Sequence, residues 1–248
     1  MMNIQNLTVD IGGKTILNGL DLNVEKGSVH AIMGLNGSGK STLSKAIVGH
    51  YDVTVTGGEI RYRGENIVGM EPDQRALEGI FLSFQNPIEI AGVNNAYFLR
   101  TALNAKREHE GRKALNAAEF LKLMREKVGE LGMKPEMIQR SLNEGFSGGE
   151  KKRNEILQME MLEPELIILD EIDSGLDIDA LKAVAEGINR MKNGERSFII
   201  ITHYSRILDY VHPDYIHVLQ EGRIVKTGGA ELVKTLEAEG YKGIKETP

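Results

Sequence analysis

The sequence Gly34-Leu35-Asn36-Gly37-Ser38-Gly39-Lys40-Ser41 matches the P-loop pattern G-x-x-x-x-G-K-[ST] at every defined position. A compact apolar run, Val29 to Met33, precedes it, and residues 41–48 favour a helix, so the loop has the strand–loop–helix context that the pattern requires. Glycines allow a tight turn that directs main-chain N–H groups at phosphate oxygens, and the helix N-terminus adds partial positive charge. We expect Lys40 to reach the β- and γ-phosphates of a nucleotide and Ser41 to hold Mg²⁺. The full match in this context argues against the alternative, a chance glycine-rich loop.

Composition excludes several other functions. The 248 residues carry a net charge of −6, which disfavours a general affinity for nucleic acid or anionic membranes and leaves only a local basic patch open. Cysteine is absent, so disulfides and thiolate ligands for zinc or an iron–sulfur cluster are excluded from this chain. No apolar run approaches the roughly 18 residues of a membrane span, and residues 1–10 lack a secretory pattern. We therefore expect a cytoplasmic protein. The N-K-x-D pattern of guanine recognition is also absent, which argues against a GTPase.

Three sequence patterns predict an α/β fold. Apolar and polar residues alternate on both sides of Gly12-Gly13, as in short antiparallel strands joined by a turn. The nearly continuous apolar runs Leu166 to Leu169 and Phe198 to Ile201 are typical of parallel strands that are buried on both faces. Residues from Asn95 to Glu144 are rich in Ala, Leu, Lys, Arg and Glu, which predicts helices; Asn116, followed by Glu119, resembles a capping box.

Polar residues follow both of the predicted parallel strands. Ligands of open α/β sheets bind at the carboxyl ends of the strands, so Asp170-Glu171 and Thr202-His203 are candidate site residues. Asp170 would support Mg²⁺ beside the P-loop, and Glu171 would orient or deprotonate an attacking water molecule. The alternative is that each pair merely begins a loop. Adjacent carboxylates repel each other without a cation, and the upstream P-loop favours the metal-assisted interpretation.

The order of five motifs resembles that of the ABC ATPases. Phe146-Ser147-Gly148-Gly149-Glu150 is similar to their signature, and it follows the P-loop and Gln85 and precedes Asp170-Glu171 and His203. Ser174-Gly175-Leu176-Asp177 is similar to their D-loop. The resemblance implies a single domain over residues 1–248: a RecA-like P-loop core with an N-terminal antiparallel β subdomain (1–94 and 150–248), and an inserted α-helical subdomain (95–149) that carries the signature.

The resemblance also implies two ATP molecules sandwiched in a transient homodimer. The signature residues of one subunit would cap the nucleotide held by the other, since hydroxyl and N–H groups at a helix N-terminus form an anion cradle. Gln85 would contact Mg²⁺ and the attacking water, and His203 would contact the γ-phosphate and position Glu171. The implied catalytic residues are Glu171, His203, Gln85 and Lys40. The implied nucleotide contacts are Gly34, Leu35, Asn36, Gly37, Ser38, Gly39, Lys40, Ser41, Thr42 and Asp177, with Ser147, Gly148 and Gly149 in trans; the implied Mg²⁺ ligands are Ser41, Gln85 and Asp170.

The chain departs from the common ABC pattern at three places. No aromatic residue stands near the first strand to stack on adenine, so we expect apolar contact from Ile11 or Ile16 instead. The signature has Glu150 where Gln is common and Phe146 where Leu is common.

The segments outside these motifs resemble the SufC family, the ATPases of SUF iron–sulfur cluster assembly. The resemblance is carried by residues 150–159 after the signature, by Phe84 to Ile90 with Gly92-Val93, by residues 173–181 and by Thr202-His203-Tyr204. It implies SufB and SufD, or SufB alone, as partners, and an ATP-driven dimerisation that reshapes this scaffold so that a cluster can form. The absence of cysteine fits a subunit that leaves cluster ligation to its partners.

Three alternatives stay open at this stage. Lys151-Lys152-Arg153 is either a solvated helix face or the source of a lysine that pairs with Glu171 in the free monomer. Apolar residues in 87–93 and at Tyr97-Phe98 either dock the partner or belong to the core of the helical subdomain. The whole protein could instead be the ATPase of a membrane transporter, or a clamp that binds ATP without productive turnover; the intact Asp170-Glu171 and His203 argue against the clamp.

Overall fold

The computed structural model describes residues 1–243, so residues 244–248, which complete the predicted single domain, lie outside the described residues. The strands are β1 (Met2–Ile11), β2 (Lys14–Val24), β3 (Val29–Met33), β4 (Thr54–Tyr62), β5 (Glu65–Asn66), β6 (Ile80–Ser83), β7 (Ile90–Asn94), β8 (Ser141–Leu142), β9 (Leu166–Asp170), β10 (Ser197–Thr202), β11 (Tyr215–Gln220) and β12 (Arg223–Gly228). The helices are α1 (Lys40–Val48), α2 (Pro72–Leu77), α3 (Asn95–His109), α4 (Ala117–Glu130), α5 (Gly148–Leu162), α6 (Ile178–Met191), α7 (Leu208–Val211) and α8 (Glu231–Glu239). Short 3₁₀ turns occupy Pro135–Ile138 and Tyr241–Gly243. None of the helices within residues 1–243 is long and apolar enough to cross a membrane.

A six-stranded sheet in the order β12-β11-β3-β10-β9-β6 forms the centre of the molecule. All neighbouring pairs are parallel except the antiparallel edge pair β11–β12. Every residue of β3, β9 and β10 is buried, because helices cover one face and both helix α1 and a second sheet cover the other. The predicted α/β class and the two Ile-rich parallel strands are confirmed. The carboxyl ends of β3, β9 and β10 lie side by side, which brings the P-loop, Asp170 and Thr202 to one edge.

The second sheet is antiparallel and has the order β2-β1-β4-β5. A turn at Gly12-Gly13, with φ of 56° and 80°, joins β1 to β2, as the alternation in the sequence predicts. Side chains of this sheet, such as Leu20 and Ile60, share one hydrophobic cluster with Ile168 and Ile199 of the central sheet. The antiparallel sheet therefore covers the face of the central sheet on which α1 lies.

The helical segment after β7 has its own hydrophobic core. Phe120, Met124 and Val128 of α4 are buried in it, and the predicted capping box at Asn116 is present. The same cluster includes Leu157 of α5, so the packing of the helical segment continues past residue 149. The subdomain boundaries at 95 and 149 stay a prediction.

Candidate nucleotide site

The P-loop connects β3 to α1 in a conformation that only glycine adopts readily. Gly39 precedes α1 with φ of 111°, and a Cβ atom at Gly34 would lie 2.3 Å from the Leu219 carbonyl oxygen. Lys40 is the first residue of α1; its ammonium donates to the carbonyl oxygens of Gly34 at 2.8 Å and Leu35 at 3.0 Å. Burial lowers the pKa of Lys40, and the nearby carboxylates of Glu171 and Asp170 oppose that shift. Two main-chain carbonyl oxygens of the loop therefore hold the Lys40 ammonium against the loop itself.

Asp170, the last residue of β9, faces the first turn of α1. Its carboxylate accepts a hydrogen bond from Ser44 Oγ at 2.8 Å and lies 3.5 Å from Ser41 Oγ. Burial raises the pKa of Asp170, while the two serine hydroxyls lower it. The predicted pair Ser41 and Asp170 is therefore brought together. Ser44 was not among the predicted site residues, although its position one helical turn after Ser41 places both on the same helix face.

Glu171 is contacted by two of the other residues that the resemblance assigned to catalysis. Gln85 Nε2 donates to Glu171 Oε2 at 2.6 Å, and His203 Nδ1 lies 3.2 Å from Glu171 Oε1, without the alignment of a hydrogen bond among the described residues. The Glu171 main chain has a φ of 47°, in the left-handed region, and its N–H donates to the Ile201 carbonyl of β10. One buried carboxylate is thus aimed by residues that follow β6 and β10.

A cavity of about 570 Å³ joins these elements. Residues of the P-loop line it together with Gln85 and Glu171, and so do Ile11 and Ile16, both half-buried. The cavity is lined by Ile11, Lys14, Ile16, Asn36, Gly37, Gly39, Lys40, Ser41, Thr42, Gln85 and Glu171. It therefore contains the two apolar side chains, Ile11 and Ile16, that were expected to contact adenine. Lys14, which sequence reasoning missed, is the first residue of β2, and no motif marks it.

The signature and the D-loop lie outside this cavity. Ser147 is the N-cap of α5 and forms a capping box with Glu150, the residue that stands where Gln is common in the family. Ser147 and Gly148 are exposed, so their polar groups face outward. Asp177 is the N-cap of α6, where its side chain accepts from the Ala180 N–H. Among residues 1–243, neither Ser147 to Gly149 nor Asp177 lines the cavity at the P-loop.

The basic stretch on α5 behaves differently from both predictions. Lys152 is buried, with 5% of its side chain exposed, and donates to the carbonyl oxygens of Phe84 and Gln85 at 3.0 and 3.2 Å. Its carboxylate partner is Glu155, whereas Lys151 pairs with Glu89. The predicted pairing of a lysine with Glu171 is therefore wrong in this structure, and a fully solvated face is wrong too. Gln85 holds the place beside Glu171, and Lys152 fixes the main chain of Gln85.

The sequence left open whether the apolar residues after Gln85 dock a partner or belong to the core of the helical segment. The structure has some of these side chains exposed and one packed in that core. Ile88, Ile90 and Tyr97 are exposed, with 57%, 36% and 68% of their surfaces accessible. Phe98 instead packs against the hydrophobic cluster of the helical segment. We call these three exposed apolar side chains, Ile88, Ile90 and Tyr97, the apolar patch; they follow Gln85 in the sequence, and Tyr97 is in the first turn of α3.

Comparisons with known proteins decide the family. A family model described as ABC transporter matches residues 17–174. The "Probable ATP-dependent transporter SufC" of Escherichia coli (strain K12) is 57% identical, over 99% of this chain and 99% of its own length. Vegetative protein 296 of Bacillus subtilis (strain 168) is 56% identical, over 99% of this chain and 93% of its own. The chain belongs to the SufC family of ABC ATPases.

Solved ABC cassettes share the fold of this ABC ATPase. The dimeric structure of MJ0796, a bacterial ABC transporter cassette, aligns with a TM-score of 0.79 at 21% identity and covers 92% of this chain and 98% of its own. A nucleotide-free cassette from an ABC transporter aligns with a TM-score of 0.74 at 25% identity, over 96% of this chain and 95% of its own. The resemblance found in the sequence is confirmed: the protein is an ATP-binding ABC ATPase with the cassette fold.

Proposed function

We propose that this ABC ATPase hydrolyses ATP and that Glu171 accepts the proton of the water that attacks the γ-phosphate. The arrangement that carries the proposal is the carboxylate of Glu171, which lies between Gln85 and His203 and lines the same cavity as the P-loop. A general base must be oriented before it acts, and two contacts from different strands restrict its rotation. Lys40 would exchange the Gly34 and Leu35 carbonyls for phosphate oxygens.

The residues beside the P-loop fit Mg²⁺. This ion prefers oxygen ligands and usually takes one or two carboxylates together with substrate phosphates and water. Ser41 Oγ and Asp170 offer such oxygens 3.5 Å apart, and the amide oxygen of Gln85 is a further candidate. When bound, Mg²⁺ neutralises charge on the phosphates. The hydrogen bond from Ser44 to Asp170 orients the second oxygen of that carboxylate.

ATP would be enclosed only in a homodimer. The signature residues form an exposed helix N-terminus that does not line the cavity of their own chain in the described residues 1–243. Leu35 in the P-loop and Ile178 after the D-loop are 54% and 61% exposed, and a second copy would cover such apolar side chains. A related cassette of the same fold, MJ0796, has been solved as a dimer. Ser147 to Gly149 of one subunit would then cap the γ-phosphate bound by the other.

The partner proposed for this dimer is a SufB and SufD scaffold, or SufB alone. The support is the 57% identity to a protein named SufC and the exposed apolar patch formed by Ile88, Ile90 and Tyr97. Closure of the ATPase dimer would change the shape of a scaffold that docks there and so drive iron–sulfur cluster assembly in the cytoplasm. A transporter ATPase is the second candidate, because several relatives are named probable ATP-dependent transporters.

The variant Glu171→Gln tests the catalytic assignment. It keeps the size and hydrogen-bonding capacity of the side chain but removes the base, so we expect steady-state hydrolysis to fall by about 10²-fold or more. With ATP and Mg²⁺, the variant should accumulate as a dimer in size-exclusion chromatography. Glu108→Gln, an exposed acid on α3, is the matched control and should hydrolyse ATP as the unmodified protein does. Normal turnover in Glu171→Gln would overturn the assignment.

The double variant Ile88→Glu with Tyr97→Glu tests the docking patch. Two carboxylates in an apolar contact cost several kcal/mol to desolvate, so co-purification with SufB or SufD from soluble lysate should be lost. Tyr210→Glu, another exposed tyrosine outside the patch, should retain the partner. Mass spectrometry identifies what is captured. Recovery of a detergent-extracted membrane permease in place of SufB or SufD would favour the transporter.

A further inference from the structure

No aligned hydrogen bond within residues 1–243 fixes Nδ1 of His203, the ring nitrogen that faces Glu171. This atom is buried and lies 3.2 Å from Glu171 Oε1. The second side-chain torsion of histidine is broad and roughly two-fold, and hydrogen bonds to the ring nitrogens usually decide how the ring stands. Because that restraint is missing at Nδ1, the orientation of His203 toward Glu171 depends on packing.

The ring of Tyr204 packs directly on this imidazole. The centroids of the two rings are 3.9 Å apart, with an angle of 43° between their planes. The guanidinium carbon of Arg206 lies 5.4 Å from the centroid of the Tyr204 ring, which is within the range of a cation–π contact. Arg206, Tyr204 and His203 therefore form a row of contacts that ends at Glu171.

The main chain of Tyr204 is anchored to buried groups, although 44% of the residue is exposed. Its N–H donates to Thr202 Oγ1 at 2.9 Å, and the Thr202 hydroxyl donates to Asp173 Oδ2 at 2.9 Å. Both Thr202 and Asp173 are buried. The ring thus extends from a fixed point of the chain, and a change confined to this exposed ring removes no side chain from the core.

We propose that Tyr204 is a positioning residue for hydrolysis: its ring packs against the imidazole of His203 and holds it toward Glu171. The inference deepens the proposed hydrolytic function and rests on it. A side chain that already stands in the productive orientation does not have to reach it during the reaction. Loss of the Tyr204 ring therefore lowers kcat, whereas nucleotide affinity, which depends on the P-loop, stays the same.

Tyr204→Leu is the direct test, since it removes the aromatic ring and keeps an apolar side chain. We expect kcat to fall roughly three- to tenfold, the range that one aromatic pair represents. The dissociation constant for ADP, measured by calorimetry, should stay within about twofold, and the melting temperature should not change. Tyr204→Phe should restore kcat, because the phenyl ring packs without the hydroxyl. Tyr51→Leu is the matched control: Tyr51 also follows a histidine, but it is 82% exposed and its ring centroid lies 6.2 Å from that of His50.

Two further measurements separate positioning of His203 from a merely structural role. In a His203→Ala background, Tyr204→Leu should cause no additional loss of kcat, because the tyrosine acts through the imidazole. In protein with isotope-labelled histidine, the ring-proton signals of His203 are assigned by their loss in His203→Ala. These signals should shift in Tyr204→Leu, which removes the ring current of the tyrosine, and should stay in place in Tyr51→Leu.

Several results would overturn the inference. These are an unchanged kcat or unchanged His203 signals in Tyr204→Leu, a full additional loss in the His203→Ala background, and a lower kcat that appears only together with weaker ADP binding or a lower melting temperature. If Glu171→Gln loses hydrolysis while Tyr204→Leu keeps it, only the role of Tyr204 fails. Normal hydrolysis by Glu171→Gln would instead remove the proposed function, and this inference with it.

Discussion

Lys152 lies beside the nucleotide site but does not line its cavity, and it has several buried polar contacts. Its buried ammonium satisfies two main-chain carbonyls of the segment that carries Gln85, and it neutralises Glu155, which in turn accepts from Ser83 Oγ at 2.8 Å. Burial raises the pKa of Glu155, and the positive charge of Lys152 opposes this shift. Because Gln85 also touches Glu171, the lysine determines where the base-positioning amide stands.

Lys152→Met should therefore destabilise the fold and slow turnover together. Removal of one partner of a buried ion pair leaves a desolvated carboxylate, and we expect the free energy of unfolding to fall by about 3 kcal/mol in urea titrations. Adding Glu155→Gln should restore most of that loss without restoring turnover, because the Gln85 carbonyl still lacks its donor. Lys151→Met removes a more exposed pair and should change stability by less than about 1 kcal/mol. If Lys152→Met and Lys151→Met lowered the free energy of unfolding equally, burial of the Lys152–Glu155 pair would add nothing to its contribution to stability.

Single residues differ in how well their surroundings follow from sequence. Lys40 and Ser41 could be placed because the P-loop motif encodes its own local main-chain conformation. The contact of Gln85 with Glu171 could be expected only from the family resemblance, since 86 positions separate the two residues. Neither alternative that the sequence left open for Lys151-Lys152-Arg153 included the pairing of Lys152 with Glu155, because a long flexible side chain on α5 can reach several carboxylates and only packing selects one.

At the level of elements, α5 connects the signature to both the catalytic and the docking regions. Its first turn carries Ser147 as N-cap, and its second turn holds the Gln85 segment through Lys152. Further along, buried Asn154 bonds Asn143 at 2.9 Å, and Asn143 donates to the Ile88 carbonyl at 2.8 Å. A movement of the exposed patch would therefore reach the signature through one rigid helix.

A strand or helix could be predicted from the sequence where its residues form a clear local pattern. Strands β9 and β10 were recognisable because both faces are buried and the apolar runs are continuous. Strand β4 has no comparable signal, since Gly57-Gly58 interrupts its alternation, yet it pairs with β1 along most of its length. The capping box at Asn116 marked the start of α4 exactly where the structure has it. Patterns that reflect local hydrogen bonding or full burial are thus readable, whereas pairing between distant strands is not.

At the scale of the whole molecule, the end of the central sheet opposite the P-loop contains a buried histidine pair. His30 Nδ1 and His217 Nε2 are 2.9 Å apart, and Ser28 and Thr227 complete the chain of hydrogen bonds at its two ends. Burial lowers the pKa of His30 to about 4, against the opposing charge of Asp214. Burial, with a smaller contribution from His30, lowers the pKa of His217 to about 3. Both rings are therefore neutral in the folded protein at ordinary pH.

This pair should make the fold sensitive to acid. An unfolded histidine takes up a proton near pH 6.5, whereas the folded pair resists protonation until about pH 4 and 3, so stability is complete above pH 6.5 and is lost as the pH falls below it. We expect the free energy of unfolding to drop by on the order of 4 kcal/mol between pH 7 and pH 5, about 2 kcal/mol for each histidine, measured in urea. His30→Gln combined with His217→Gln should flatten that dependence, while His212→Asn, at an exposed position with positive φ, should leave it intact. A slope that survives in the double variant would show that the histidine pair is not the source of the acid sensitivity.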